Sequence, residues 1–195
     1  MKKQIFKSLA SLVFLFLVAA LIGPQTSFAA AETVFTKYNI HVQEQMSRSG
    51  QPVYKASYAN YTDPGEGHQI IPAGAKITVL KKNRKGFEFR HESEQKVVNF
   101  EFHEPRMKMS VDEYIALITS PEPVSFAKLS KVDNKGRTEG KALVGMSRIG
   151  VLAALGYPAV HRTPSLDSST WVYWGNRFRT VAVHFNDKGV VESIQ

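Results

Sequence analysis

Between Thr33 and His103 short strand-like runs alternate with turns, and this spacing constrains the fold more than any other feature of the chain. Val34, Thr36, Tyr38, Ile40 and Val42 alternate with Phe35, Lys37, Asn39, His41 and Gln43, a period of two that reads as one half-buried strand. A weaker strand over Val53–Tyr58 leads into the turn-rich stretch Asp63-Pro64-Gly65 to Pro72-Ala73-Gly74. The runs AKITVL, GFEFRH and KVVNFEFH follow, the first two separated by Asn83-Arg84-Lys85-Gly86. Strands this short and this evenly spaced bury enough surface only by curling together, so a small barrel or rolled sheet is expected.

The next segments change period. SVDEYIALIT places Ser110 and Glu113 at capping-box spacing and Val111, Tyr114, Ile115 and Ile118 on one stripe, so a helix is expected there, ended by Pro121 and Pro123. Ser125–Lys141 is basic and turn-rich, with Asp133-Asn134-Lys135-Gly136, and reads as a linker or an entry into a second domain. A second helix then starts at Ser147, placed to cap it. Ile149, Leu152 and Leu155 form its stripe, widened by Val151 and Ala153. Gly156 closes this helix and Pro158 prevents its continuation. Gly150 inside it marks either close packing or simple tolerance. Three strands follow: STWVYW, RFRTVAVHF after a Gly175-Asn176 hairpin signal, and VVESI after Asn186-Asp187-Lys188-Gly189. One helix on three antiparallel strands gives an α+β core, with the helix covering the apolar face of the sheet.

The first 31 residues carry Lys2, Lys3 and Lys7, an apolar run Leu9–Ile22 and a small-residue stretch ending in Ala29-Ala30-Ala31. This is the pattern of a secretory signal peptide, with cleavage after Ala29 or Ala31; the apolar run is short for a span of about 20 residues. A periplasmic or secreted protein is expected. There is no cysteine, so a structural disulfide, a lipid anchor on cysteine, a thiolate metal site and a thiol nucleophile are all excluded. The formal charge is +8, or about +5 without the three leader lysines. That excess favours either solubility or contact with an anionic lipid or wall surface. Export disfavours a nucleic-acid partner.

The order Gly145-Met146-Ser147, Val151, Leu155-Gly156-Tyr157-Pro158, Trp171-Val172-Tyr173-Trp174, and Val183-His184-Phe185-Asn186 with Gly189-Val190 resembles the SmpA/OmlA, or BamE-like, family of outer-membrane assembly factors. The match covers roughly Gly136–Gln195. Thr33–His103 more weakly resembles bacterial SH3-like modules. The resemblance implies an SH3-like β domain over residues 32–108, a helix and linker over 109–135, and a BamE-like α+β domain over 136–195. It also implies non-enzymatic protein or lipid contacts. The chain departs from the family in lacking the lipid-bearing cysteine and in carrying the β-rich region.

No histidine pair shows metal-ligand spacing, and no nucleophile–base pair is in view, so no cofactor, metal or catalytic residue is assigned. Asp63, Glu66 and His68 share a loop and form the most enzyme-like cluster, although Asp-Pro-Gly is also an ordinary turn. Two surfaces are candidates for contact. Trp171 and Tyr173, if outward-facing beside Arg177 and Arg179, make a partner patch; the alternative is that the pair is covered. Lys81, Lys82, Arg84 and Lys85 form a basic hairpin tip that either touches an anionic surface or is simply solvated. Ser147, Leu152, Leu155, Gly156 and Pro158 are assigned structural roles. The expected function is a non-enzymatic envelope interaction or scaffold protein; the alternative is a periplasmic ligand-binding or inhibitor-type protein that uses the aromatic sheet face.

Overall fold

Alternation along Val34–Gln43 does not make one strand. In the computed structural model, which describes residues 32–195, the chain turns at Lys37–Asn39 and yields two strands, β1 (Glu32–Thr36) and β2 (Ile40–Met46). The expected signal peptide lies outside the described residues. β3 (Pro52–Ser57), β4 (His68–Ile71), β5 (Lys76–Asn83), β6 (Gly86–His91) and β7 (Lys96–Glu101) follow. A short helix α1 (Glu104–Met107), the helix α2 (Val111–Ile118) and the two-residue strand β8 (Thr119–Ser120) complete this half.

These eight strands form one curled mixed sheet in the order β4-β2-β3-β7-β6-β5-β1-β8. Its concave side closes on Ile77, Phe87, Phe89, Val98, Phe100 and Tyr114, all buried. Tyr114 comes from α2, whose capping box is Ser110 with Glu113, and its ring lies 5.1 Å from Phe102 and 5.5 Å from Phe100. A second core forms where α4 (Arg148–Leu155) lies on the sheet β11-β10-β9, made of β9 (Thr170–Trp174), β10 (Thr180–Phe185) and β11 (Val191–Ile194). The described residues group as a single compact unit.

The described residues are therefore mostly β, with 18% of them helical, and do not form an SH3-like module followed by a BamE-like α+β domain. Two pairings overturn that expectation. β3 runs parallel to β7, so the first half is not a series of hairpins. β8, from beyond the expected boundary at residue 108, pairs with β1 and so belongs to the first sheet. Local strand patterns do not encode either pairing, because both partners lie far apart in sequence.

The segment read as a linker contains a helix, α3 (Lys131–Glu139). Its composition is poor for a helix, but Ser130 and Asp133 make a complete capping box. Asp133 is 3% exposed and also ties down α4: Ser147 N donates to its Oδ1 at 2.7 Å and Ser147 Oγ to its Oδ2 at 3.1 Å. The same contact explains Gly150. A Cβ there would stand 2.0 Å from Asp133 Oδ1, and one on Gly136 would stand 2.3 Å from Met146 Sδ. Gly150 lets α3 and α4 approach, and Gly136 makes room for the Met146 side chain ahead of α4, so close packing is the correct alternative for Gly150.

The buried face of α4 also differs from the expected stripe. Val151, Ala154 and Leu155 pack into the second core, Leu152 is half-buried and Ile149 is 69% exposed. Val151→Ala should therefore lose about 2 kcal/mol, while Ile149→Ala should change stability by less than about 0.5 kcal/mol. Gly150→Ala should lose more than Val151→Ala despite its higher helix propensity. Urea unfolding of the three variants checks the ordering; equal midpoints for Gly150→Ala and wild type would remove the close-packing explanation.

Candidate functional site

The last turn of α4 points its free carbonyls at the large sheet. Such carbonyls have no partner within their own helix, and here residues of the β1–β2 turn and β2 supply them. Asn39 N donates to Ala153 O at 2.9 Å, and Asn39 Nδ2 donates to Ala154 O at 3.1 Å and to Arg137 O, in the last turn of α3, at 2.6 Å. Asn39 Oδ1 accepts from Ala73 N at 2.8 Å, which holds the Pro72-Ala73-Gly74 turn. His41 Nε2–H donates to Ala154 O at 3.0 Å. The polar seam continues where Asn60 Nδ2 donates to Tyr157 O at 2.9 Å, Thr62 N to Trp174 O at 2.9 Å and Asp63 N to Gly175 O at 2.8 Å.

His41 donates through Nε2, so its Nδ1 is the acceptor of the neutral ring and His68 Nε2–H donates to it at 2.9 Å. The two rings are within 10° of coplanar with centroids 5.2 Å apart, the geometry of an edge-to-edge hydrogen bond rather than of stacking. Burial pulls His41 down to about 4; the bond to Ala154 opposes this, and the neighbouring His68 adds to it. His68 is lowered by burial and by Lys141, against the opposing pull of Asp63.

The loop that looked most enzyme-like is divided between these structural roles. Asp63 forms an ion pair with Arg179, His68 bonds His41, and Glu66 is exposed. Among the described residues no group of three or more His, Cys, Asp or Glu side chains is placed to hold a metal ion. His103 caps α1 and His91 bonds Ser93, so they occupy separate surroundings. His184 is half-buried and bonds Thr170 at 2.9 Å.

The proposed partner patch is corrected. Trp171 and Tyr173 are 0% and 1% exposed and belong to the second core. Tyr173 OH donates to Gly156 O at 3.1 Å, and Trp171 Nε1–H donates to Leu166 O at 3.2 Å. α4 and the sheet need these rings as their apolar filling, so neither faces a partner. Trp174, on the opposite face, packs against the first core. Arg177 and Arg179 point to two different clefts, and Arg179 is held by Asp63. The basic tip also changes character: Lys81 pairs with Glu88 at 3.4 Å, Lys82 with Asp112, and Arg84 with Glu104 at 3.4 Å. Three of its four cations thus have a carboxylate beside them. Gly156 has φ 82° and ψ −175°, an extended region open almost only to glycine, rather than the left-handed helical closure expected; Pro158 behind it is buried.

Sequence reasoning missed the most exposed aromatic among the described residues. The β9–β10 connection is not a two-residue turn but the five residues Gly175–Arg179, since Trp174 pairs with Thr180. Asn176 Oδ1 accepts from Phe178 N at 2.9 Å and from Arg179 N at 3.0 Å, and this fixes the tip. Phe178 is left 91% exposed. It stands at the lip of a cleft of about 640 Å³, floored by Gln43, Gln45 and Lys55 and flanked by Tyr61, Glu101 and Arg177. Tyr61 is in the left-handed region at φ 43°, directly after Asn60 at φ 66°. Consecutive non-glycine residues in that region are strained, and such strain concentrates at binding sites. Compared with family models, curated proteins and solved structures, the chain matches none.

The seam sets a pH dependence. His41 is held below its unfolded value near 6.5, so the unfolded chain binds more protons, and stability falls as pH falls. The contribution is complete above about pH 6.5 and is lost toward pH 4, amounting to up to about 3 kcal/mol. His68, His91 and His161 are lowered too and add in the same direction. Urea unfolding at pH 7.5, 6 and 5 should show the decline, and His41→Gln should flatten it. A His41→Gln profile as steep as wild type would assign the decline to the other histidines.

Proposed function

We propose that this chain is an exported, non-enzymatic binding module of the cell envelope, and that it meets its partner at the cleft beside the Gly175–Arg179 hairpin. The observation that carries this reading is Phe178. A large apolar ring on a hairpin tip is ordinarily tucked away; here hydrogen bonds hold the tip rigid and leave the ring in solvent. A tip whose backbone is already ordered loses less conformational entropy on binding, and an exposed aromatic beside arginine suits a contact hot spot. Thr62 and Asp63 fix the same hairpin to the large sheet through Trp174 O and Gly175 O, so both walls of the cleft move as one body.

Export and the envelope rest on the leader pattern and on the resemblance of Gly136–Gln195 to the SmpA/OmlA family, a resemblance of motif order. The reading leaves the basic tip a minor part, because its charge is largely matched by nearby carboxylates. The Trp171–Tyr173 face has no part in it.

Two measurements test the proposal. N-terminal sequencing of the protein from expressing cells should give a mature form starting at Ala30 or Glu32; an intact Met1 in the membrane fraction would overturn the export half. For the binding half, a photo-crosslinking residue at position 178 should capture an envelope component. The same residue at position 149, where Ile149 is also exposed, should not. Phe178→Ser should abolish affinity pull-down of the same component by the tagged mature protein while changing stability by less than about 0.5 kcal/mol, as expected at an exposed site. Equal labelling from both positions would sink the proposed contact surface.

A further inference from the structure

The cleft at Phe178 does not end at Lys55. A second depression of about 430 Å³ shares Lys55, Ala56 and Glu101 with it and continues over β7, β6 and β5. The strand register explains the continuity. Gln43 is paired with Lys55, Lys55 with Asn99, Asn99 with Glu88, and Glu88 with Lys81. All five residues line the two depressions, while Val98, Phe89 and Phe100 point the other way into the core. A row of polar side chains therefore crosses five strands, roughly 19 Å at the usual strand spacing. One end is the rigid aromatic tip at Phe178, with Tyr61 beside it. The other is the Lys81–Lys85 hairpin.

The chemistry of this groove is specific. Gln45 Nε2 donates to Gln43 Oε1 at 2.9 Å, which leaves the Gln43 amide hydrogens and the Gln45 carbonyl free. Lys55, Lys85, Asn99, Glu101 and Arg177 have no side-chain hydrogen bond or ion pair among the described residues. The floor thus offers free donors and free acceptors in alternation, which is what a chain of hydroxyl groups requires, since each hydroxyl both donates and accepts. Phe178 and Tyr61 supply flat apolar faces for the C–H side of a ring. The unpaired charges are three cations, Lys55, Lys85 and Arg177, against one carboxylate, Glu101, because Lys81 and Glu88 satisfy each other. The ligand's own charge should accordingly be negative but sparse.

Other occupants fit less well. β2, β3 and β7 are each paired on both sides, so no strand edge is open to a peptide adding to the sheet there. The row across the floor is polar, Gln43, Lys55, Asn99 and Glu88, and gives peptide side chains little apolar surface to bury. A nucleic acid carries a phosphate at every residue and would meet Glu88 and Glu101 in the middle of its path.

The geometry points to a binding site for a linear acidic oligosaccharide, with one sugar ring stacked on Phe178 and Tyr61 and its carboxylate or phosphate substituents read by Arg177, Lys55 and Lys85. This rests on the reading of the cleft as the contact surface and names the class of molecule it takes.

A hyaluronan tetrasaccharide, with one carboxylate per two sugars, chitotetraose and a four-residue oligothymidylate, titrated by NMR against the full mature chain, test it. The hyaluronan tetrasaccharide should shift resonances of Gln43, Lys55, Asn99 and Phe178 saturably. Chitotetraose should bind about tenfold more weakly for want of charge, and oligothymidylate should not bind. Phe178→Ala and Lys55→Gln should each weaken binding of the acidic tetrasaccharide at least about tenfold with unchanged thermal midpoints. Absence of saturable binding by either saccharide, binding indifferent to both substitutions, or oligothymidylate binding equal to that of the acidic tetrasaccharide would overturn the assignment. Should position 178 crosslink a protein while no saccharide binds, the contact surface stands and the oligosaccharide falls; should neither occur, both fall.

Discussion

How the two sheets of residues 32–195 are arranged depends on how one helix end is satisfied. The last carbonyls of α4 would be left without partners if the helix stopped against an apolar surface, at a cost comparable to a lost buried hydrogen bond for each. Asn39 and His41 accommodate them, and Asn39 also takes the end of α3 and the Pro72–Gly74 turn. A buried amide with three such partners fixes direction as well as distance. Apolar contact between the two sheets would tolerate small rotations; this seam does not, because rotation would break several bonds in a region of low dielectric where unpaired groups are costly. The requirement that His41 stay neutral follows from the same burial.

A second knot sits at Asp133, where one carboxylate receives two backbone amides and two hydroxyls from the starts of α3 and α4. Short helices such as these, nine and eight residues long, are marginal on their own. Their shared acceptor, and the glycines that let them approach it, supply what length does not. The two knots lie at opposite ends of α4: Asp133 orients its start and Asn39 with His41 its finish. That is why a helix with no reactive group can organise the polypeptide around it.

Local signals were legible in the sequence, and distant ones were not. The cap at Ser147, the capping box at Ser110 and the turn at Asn186–Gly189 each depend on neighbours within a few residues, and each is readable in a short window. The break at Asn39 is not, because what turns the chain there is a pair of carbonyls more than a hundred positions away. Parallel pairing of β3 with β7 is invisible for the same reason. α3 was missed although Ser130 and Asp133 have capping spacing; Asn134, Lys135 and Gly136 read as a turn when taken alone. Gly150 could not be decided until Asp133 stood beside it. At the candidate site, Arg177 is legible as a charge near an aromatic strand, but the exposed aromatic is not. Trp171 and Tyr173 looked like a contact face because alternation identifies two faces without saying which is covered. Phe178 falls inside the strand-like run RFRTVAVHF, because Gly175-Asn176 is a complete hairpin signal by itself.

Seam and cleft meet at Asn60 and Tyr61. Asn60 spends its side chain on Tyr157 O, and its backbone is thereby held left-handed; Tyr61 follows in the same region and enters the cleft. Thr62 and Asp63, the next two residues, bond the hairpin that carries Phe178. Four consecutive residues thus join the helix end, the strained aromatic and the exposed aromatic. The strain at Tyr61 persists because bonds on both sides over-determine it. A wall built this way cannot shift without disturbing the docking of α4, so the spacing between Tyr61 and Phe178 is set by the same hydrogen bonds that hold the two sheets together. The stability of the fold and the pre-organisation of the cleft are, in this molecule, consequences of one polar interface.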